Sequence, residues 1–284
     1  MSTAPALTAL MPVREYRAGY LREAVDSLLA QTSAAWRLAI VADGAAPAAL
    51  RRALGGRCDD ARIELVENEG RRLAGALNTG MRHASTPFVA ILFADDAWEP
   101  RAVEVLERAI REHPEVDLFH SGRRFVDDDG TAISDVMPPR RDVTVADFGP
   151  DSPVCHLMCW RRDKGLAVGG IDEELDPIGP DDFDFPWTMA EQGAVLRDVP
   201  DCLYVIRDHR RHPRLTTHVP RSVHERATRR IMLKHGMDPL EVERFIQAAR
   251  EGYLRQCLYR SRPERWLRER VGIGRPRPWR ETYR

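Results

Sequence analysis

The chain has 284 residues, room for one large or two ordinary domains, and 43% of them are hydrophobic, enough to bury a substantial core. With 31% charged residues and a formal net charge of −1, the composition excludes wholesale disorder and a strongly basic surface, so no nucleic-acid partner is expected. The opening Met1 to Pro5 has no basic leader, and no apolar run approaches the roughly 18 residues of a membrane span, so the expectation is no transmembrane segment and a cytoplasmic protein.

Ala6 to Met11 reads as a short strand ended by Pro12, and Gly19 to Gln31 as a helix with Leu21, Ala24, Val25, Leu28 and Leu29 on one face. Arg37 to Ala42 is a second β-rich run, closed by Asp43-Gly44, with a short helix at Pro47 to Leu54. Arg62 to Val66 is a third strand, Leu73 to Ala84 a helix, Phe88 to Phe93 a fourth strand, and Pro100 to Glu112 a helix. Four strand–helix alternations predict right-handed crossovers, a largely parallel sheet covered on both faces, and ligands beyond the carboxyl ends of the strands. Asp43, the Arg71-Arg72 region and Asp95-Asp96 should therefore share one crevice.

Asp95 and Asp96 follow a continuous apolar run. Oxygen ligands from one or two carboxylates, completed by substrate phosphates and water, are how Mg²⁺ or Mn²⁺ is usually held; the competing role is an acidic cap on the helix that Pro100 opens.

Beyond Phe119 the rhythm changes. Phe125-Val126, a turn at Asp127 to Gly130, and Thr131 to Ile133 read as a hairpin whose acid cluster is a solvated turn. Val154 to Trp160 is a strand, and Gly169-Gly170 and Pro177 to Pro180 break the chain before Asp181-Asp182. Trp187 to Gln192 is helical, and Cys202 to Ile206 is the last strand. Two Arg-rich helices, about Arg221 to His235 and Pro239 to Tyr259, precede a basic tail and are expected to pack on the domain before them. The domain reading is 1–210, in two halves at 1–120 and 121–210, then a helical basic extension at 211–284. Five scattered cysteines without a Cys-x-x-Cys pair signal neither a disulfide framework nor a zinc site. Abundant Arg and Ala against few Lys suggest a GC-rich bacterial source.

Met11-Pro12-Val13, then Tyr20-Leu21 through Ala24, Ser27 and Gln31-Thr32, is similar to the opening of family 2 glycosyltransferases of the GT-A fold. Ala42-Asp43-Gly44, Asn68-Glu69-Gly70, Asn78-Thr79-Gly80 and Asp95-Asp96 follow in that family's order, and the resemblance runs from about Leu10 to His209. Phe93 stands where the family often has a first acid, Ala42 where it has a base-side acid, and Thr188 where an Arg is usual.

The resemblance implies a Rossmann-like, mostly parallel sheet sandwiched by helices, with 1–210 as the catalytic domain, 1–120 its nucleotide-binding half and 121–210 its acceptor half. It implies Pro12, Asp43, Arg72 and Asp95 in the site of a UDP-, GDP- or dTDP-sugar, with Asp43 at the base, Arg72 by the nucleotide and Asp95 at the ribose or sugar. It implies Mn²⁺ or Mg²⁺ on Asp96 with His209 of an Arg-x-His motif, and Asp181-Asp182 as the catalytic pair. Asp182 is the expected general base for inverting transfer to the hydroxyl of a carbohydrate or small-molecule acceptor, with an N-cap as the alternative role of either acid. His156 and Trp160 are read as core packing or acceptor-pocket lining, and Arg210, Arg211, His212 and Arg214 as a lid or plain surface. Two other functions compete: a catalytically silent nucleotide-sugar-binding module, and a nucleotidyltransferase, for which Pro12 to Tyr20 lacks the Gly-rich phosphate loop.

Overall fold

A computed structural model of the chain describes residues 4–149, 151–176, 178–208 and 220–260, the last nine as backbone. Its centre is an eight-stranded sheet in the order β3-β2-β1-β4-β7-β6-β8-β5, where the strands are β1 Leu7–Val13, β2 Trp36–Ala42, β3 Ile63–Glu67, β4 Phe88–Ile91, β5 Ala97–Trp98, β6 Leu118–Val126, β7 Met158–Arg161 and β8 Leu196–Arg207. β1 pairs in parallel with β2 and β4, and β2 with β3, as four alternations demand. The second half departs from that rule: β7 runs antiparallel to β4 and β6, and β8 is parallel to β6 but antiparallel to β5.

Side-chain alternation places apolar groups on both faces. Leu7, Ala9, Met11 and Val13 of β1, with Phe88 and Ala90 of β4, join one core under the helices α1 Ala18–Leu29, α2 Pro47–Leu54 and α4 Ala102–Glu112. Leu10, Val89 and Ile91 point the other way, into a core shared with α3 Arg72–His83, α6 Phe185–Glu191 and Ile231 of α7 Arg221–Lys234. The short α5, Arg162–Ala167, follows β7, and α8, Pro239–Arg260, packs on α7 through Met232, Val242 and Ile246. Among the described residues no helix is long and apolar enough to cross a membrane.

Several boundaries correct the sequence reading. β1 does not end at Pro12 but runs through it to Val13. Alternate residues of β1 address β4, since Leu10 O accepts from Leu92 N–H (3.0 Å), and by the level of Pro12 the strand β4 has ended, so the missing N–H of the proline costs no ladder bond. β4 stops at Ile91 rather than Phe93, because the chain folds into a turn closed by Asp96 N–H on Phe93 O (3.2 Å) and then forms the two-residue β5, which the apolar pattern does not announce.

β8 is twice as long as expected and passes through Pro200; its register against β6 slips between Ser121 and Arg123, a bulge that absorbs the proline. The hairpin after β6 is reduced to two isolated bridges, Val126 to Ala132 and Arg123 to Met137.

Candidate functional site

β2 and β4 flank β1 in parallel, so their carboxyl ends emerge on one edge of the sheet, about 10 Å apart by two strand spacings. Asp43 leaves β2 there. Its Oδ1 accepts from Asn68 Nδ2 (3.0 Å) and its Oδ2 from Arg14 Nη1 (3.3 Å). Asn68 Nδ2 also donates to Arg72 O (3.2 Å), so one amide ties Asp43 to the start of α3. Arg72 is exposed and sits at φ +53°, a left-handed conformation uncommon outside glycine. Pro12 lies on the same edge, partly exposed.

Two acids from a distant loop reach this point: Glu173 Oε2 accepts from Arg71 N–H (2.9 Å) and Asp176 Oδ2 from Ala74 N–H (3.1 Å). Burial pushes the Asp176 carboxyl up to about 6, against the Ala74 N–H and the Arg72 charge. The approach needs glycines, since a Cβ on Gly70 would lie 2.7 Å from Gly75 Cα. Sequence reasoning missed Glu173 and Asp176, which lie about a hundred residues from the groups they touch.

Beside β4, Asp95 stands in the turn and Asp96 is buried just after it. Asp96 Oδ1 accepts the backbone N–H of Arg207 (2.9 Å), and the Tyr204 hydroxyl, which accepts from Phe93 N–H (3.1 Å), also bonds to this carboxylate. Burial and then the Asp96 charge hold the Tyr204 phenol well above its ordinary range. Arg207, itself buried, draws the edge together: Nε donates to Asp95 O (3.2 Å), Nη1 to Asp127 O and Asp128 O (3.3 and 3.2 Å), Nη2 to Glu23, and the guanidinium lies 4.5 Å from the Tyr20 ring. Tyr20 in turn donates to Asp128 Oδ1 (2.9 Å). The acid turn read as solvated is thus built into the site through Asp128.

No group of three or more His, Cys, Asp or Glu among the described residues is placed to hold a metal. Asp95 and Asp96 offer oxygen donors at the sheet edge, the chemistry that suits Mg²⁺ or Mn²⁺ when a diphosphate and water complete the shell. The residues fit such an ion on that condition. His209 and the Arg210 to Arg214 cluster lie outside the described residues.

Asp181 and Asp182 lie in a π-helical turn, Pro180–Asp184, that runs directly into α6, which begins at Phe185 rather than Trp187. Neither acid caps a helix, since neither the turn nor α6 has a side-chain cap bond. The two environments differ. Asp181 is 5% exposed and Asp182 only partly buried. Burial, then the charge of Asp182, holds the Asp181 carboxyl well above the carboxylate range.

His156 Nε2 lies 3.6 Å from Asp181 Oδ2, and burial drives the imidazole down to about 4 despite the charge of Asp182. Its ring meets Phe93 edge-on (centroids 5.2 Å apart) and leans on Tyr204 (5.6 Å), so Phe93 belongs to the apolar wall behind the acids. Burial thus holds the Asp181 carboxyl above its ordinary range and the His156 imidazole below its own. Trp160 is fully buried with its N–H on Met81 Sδ (3.4 Å) and packs in the core. Thr188 presents a buried hydroxyl with no hydrogen-bond partner among the described residues.

The sequence pattern of glycosyl transferase family 2 matches residues 8–166, more than half of the chain. The chain belongs to this glycosyltransferase family. It is similar to the O-antigen biosynthesis protein RfbC of Myxococcus xanthus, 26% identical over 73% of this chain but 16% of that protein. It is also similar to EpsE of Bacillus subtilis, 24% identical over 73% of this chain and 75% of that one.

Among solved structures, S. aureus TarS residues 1–349 in complex with UDP-GlcNAc superposes with a TM-score of 0.63 over 85% of this chain and 70% of that chain, at 15% identity. The same protein in complex with UDP gives 0.58 at 16% identity, over 85% of this chain and 69% of that chain. At that identity the likeness establishes the fold: the family 2 chain has a GT-A architecture of a mostly parallel sheet between helical layers.

Proposed function

We propose that this family 2 chain moves a sugar from a nucleotide-diphosphate sugar to an acceptor hydroxyl with inversion, using Asp182 as general base. The observation that carries the reading is the split between the two adjacent acids. Burial works against ionisation of Asp181, whereas Asp182 is the more accessible carboxylate of the pair, and a base must be reachable by the acceptor hydroxyl. Asp43, oriented by Asn68 and Arg14, and Arg72 at the start of α3 take the nucleotide end of the donor. Asp95 and Asp96 face the diphosphate. They would hold Mn²⁺ or Mg²⁺ together with the phosphates, and that ion would supply neutralisation of the charge on the leaving nucleotide diphosphate. That a TarS structure was solved with UDP-GlcNAc supports a nucleotide-sugar donor, with UDP the first nucleotide to try.

The test is turnover of a panel of UDP-, GDP- and dTDP-sugars with candidate acceptors, read as nucleotide diphosphate released, in wild type and Asp182→Asn. Base catalysis contributes about 10²- to 10⁴-fold, so the variant should lose that much in kcat while nucleotide affinity stays within about twofold. Full turnover by Asp182→Asn would remove Asp182 from the reaction. Nucleotide binding without transfer to any acceptor would favour the silent module.

A further inference from the structure

The turn that carries Asp181 and Asp182 is a single short π-helical turn, Pro180–Asp184, whose last backbone bond runs from Phe185 N–H to Pro180 O. It is closed by the π-type bond from Asp184 N–H to Gly179 O (2.9 Å), and Gly179 enters it at φ +71°, with space for a Cβ limited by Ile231 Cδ1 at 3.2 Å. The third acid of the turn, Asp184, points away from the cleft into the interface with α7, and its side chain is 2% exposed. Lys234 Nζ lies 2.8 Å from its Oδ2 and His235 Nε2 lies 3.0 Å from its Oδ1, so each oxygen of the buried carboxylate has its own partner.

Both partners are themselves fixed. Lys234 also donates to Asp172 Oδ2 (2.9 Å), and His235 Nδ1 meets Glu191 Oε2 (2.9 Å) while the ring stacks on Trp187 at 4.2 Å and 5°. Burial works against the Lys234 ammonium, and its bonds to Asp184 and Asp172 more than offset that, so it is held charged. Lys164 and Lys234 are the only lysines of a chain that otherwise uses arginine, and a compact ammonium fits between two carboxylates where a planar fork would not pair with both in the same way.

We propose that Lys234 and His235, at the end of α7, are positioning residues for sugar transfer: by clamping Asp184 they fix the turn on which Asp182 meets the acceptor hydroxyl. The proposal rests on the reading of Asp182 as base. A carboxylate held at both oxygens cannot rotate, and Asp182 is two residues from it on the same turn. Displacement of a reacting group by about 1 Å costs on the order of 10²-fold in rate, so a loosened clamp acts chiefly on kcat.

The test compares Lys234→Met, Lys234→Arg and Arg229→Ala, the last removing an ion pair with Glu243 that joins α7 to α8 away from the turn. Lys234→Met is expected to lower kcat at least tenfold with the KM for the nucleotide-sugar within twofold, and to speed amide hydrogen exchange across 178–185. Lys234→Arg should recover part of the loss, and Arg229→Ala should behave as wild type in both measurements. Unchanged kcat and exchange in Lys234→Met, an effect confined to KM, or an equal loss in Arg229→Ala would overturn the clamp. If the wild type transfers no sugar, the reading of the base fails; the clamp is then judged on exchange alone, where acceleration supports it and no change overturns it.

Discussion

Two neighbouring aspartates show how much one residue's surroundings decide. Asp181 and Asp182 have the same chemistry in the sequence, and only the fold distinguishes them: the first is packed against His156 behind the wall of Phe93 and Tyr204, the second keeps a path to solvent. A carboxyl whose pKa is raised by burial is a net cost to the native state at neutral pH, because the unfolded chain ionises freely and the folded one cannot. Asp181→Asn keeps the shape of the protonated acid and removes that cost. It should raise stability at pH 7.5 by on the order of 1 kcal/mol, seen as a higher urea midpoint, with catalytic loss far smaller than that of Asp182→Asn. A lower midpoint would mean that Asp181 is ionised and paired in the native state. The order and chemistry of these acids were legible in the sequence; their inequality was not, because it depends on side chains contributed from β7's approach and from β8.

At the scale of elements, the start of α3 joins the sheet edge at Asp43 to the loop before the Asp181-Asp182 turn. Glycine inside a helix is normally about 1 kcal/mol worse than alanine, so Gly75→Ala would ordinarily stabilise. Here the added Cβ would lie 2.6 Å from Gly70 C and 3.1 Å from Glu173 Oε2, and backbone cannot yield as a side chain would. The expected outcome is a loss of about 1–3 kcal/mol in unfolding free energy together with weaker nucleotide binding by calorimetry, since the strained Arg72 and the Asn68 bridge to Asp43 share that turn. A stabilised variant with unchanged affinity would show that the loop before the turn adapts without disturbing the site. The helices α1 to α4 and the strands β1 to β4 could be read from periodicity because each element is apolar on the faces it buries. The elements that failed to announce themselves, β5 and the bulged β8, are those whose bounds are set by a partner strand or by Pro200 in a bulge, information that does not reside in their own residues.

Across the whole molecule, the parallel half followed from alternation, whereas the antiparallel insertion of β7 between β4 and β6 could not, since nothing local dictates which strand fills that gap. One consequence belongs to the molecule and to no single element: buried titratable groups of opposite sense offset each other. His120 and His156 are both driven to about 4 by burial, below the ordinary 6.5, so between those values the unfolded chain binds the extra proton, and their contribution to stability, complete above pH 6.5, is lost as pH falls toward 4. Asp176, raised to about 6, and Asp181, raised well above 3.8, run the other way: the folded chain holds their protons, so their effect favours the fold at low pH and fades as pH rises through the same window. Asp151, also raised by burial, joins them, and these carboxyls set against the two imidazoles leave the wild type with a shallow dependence between pH 4.5 and 6.5. Asp176→Asn combined with Asp181→Asn preserves the acceptor for Ala74 N–H and removes two of the three raised carboxyls from the balance. Its stability should then fall on acidification by ~1.4 kcal/mol per pH unit for each of the two imidazoles, measured by urea unfolding at pH 4.5, 5.5 and 6.5. Ion-paired carboxylates such as Asp60 and Asp147, whose pKa values are lowered by hydrogen bonds from Arg62 and from Thr144, titrate below this window and do not enter the comparison. If the wild type is as acid-sensitive as the double variant between those pH values, the buried acids are not protonated in the native state.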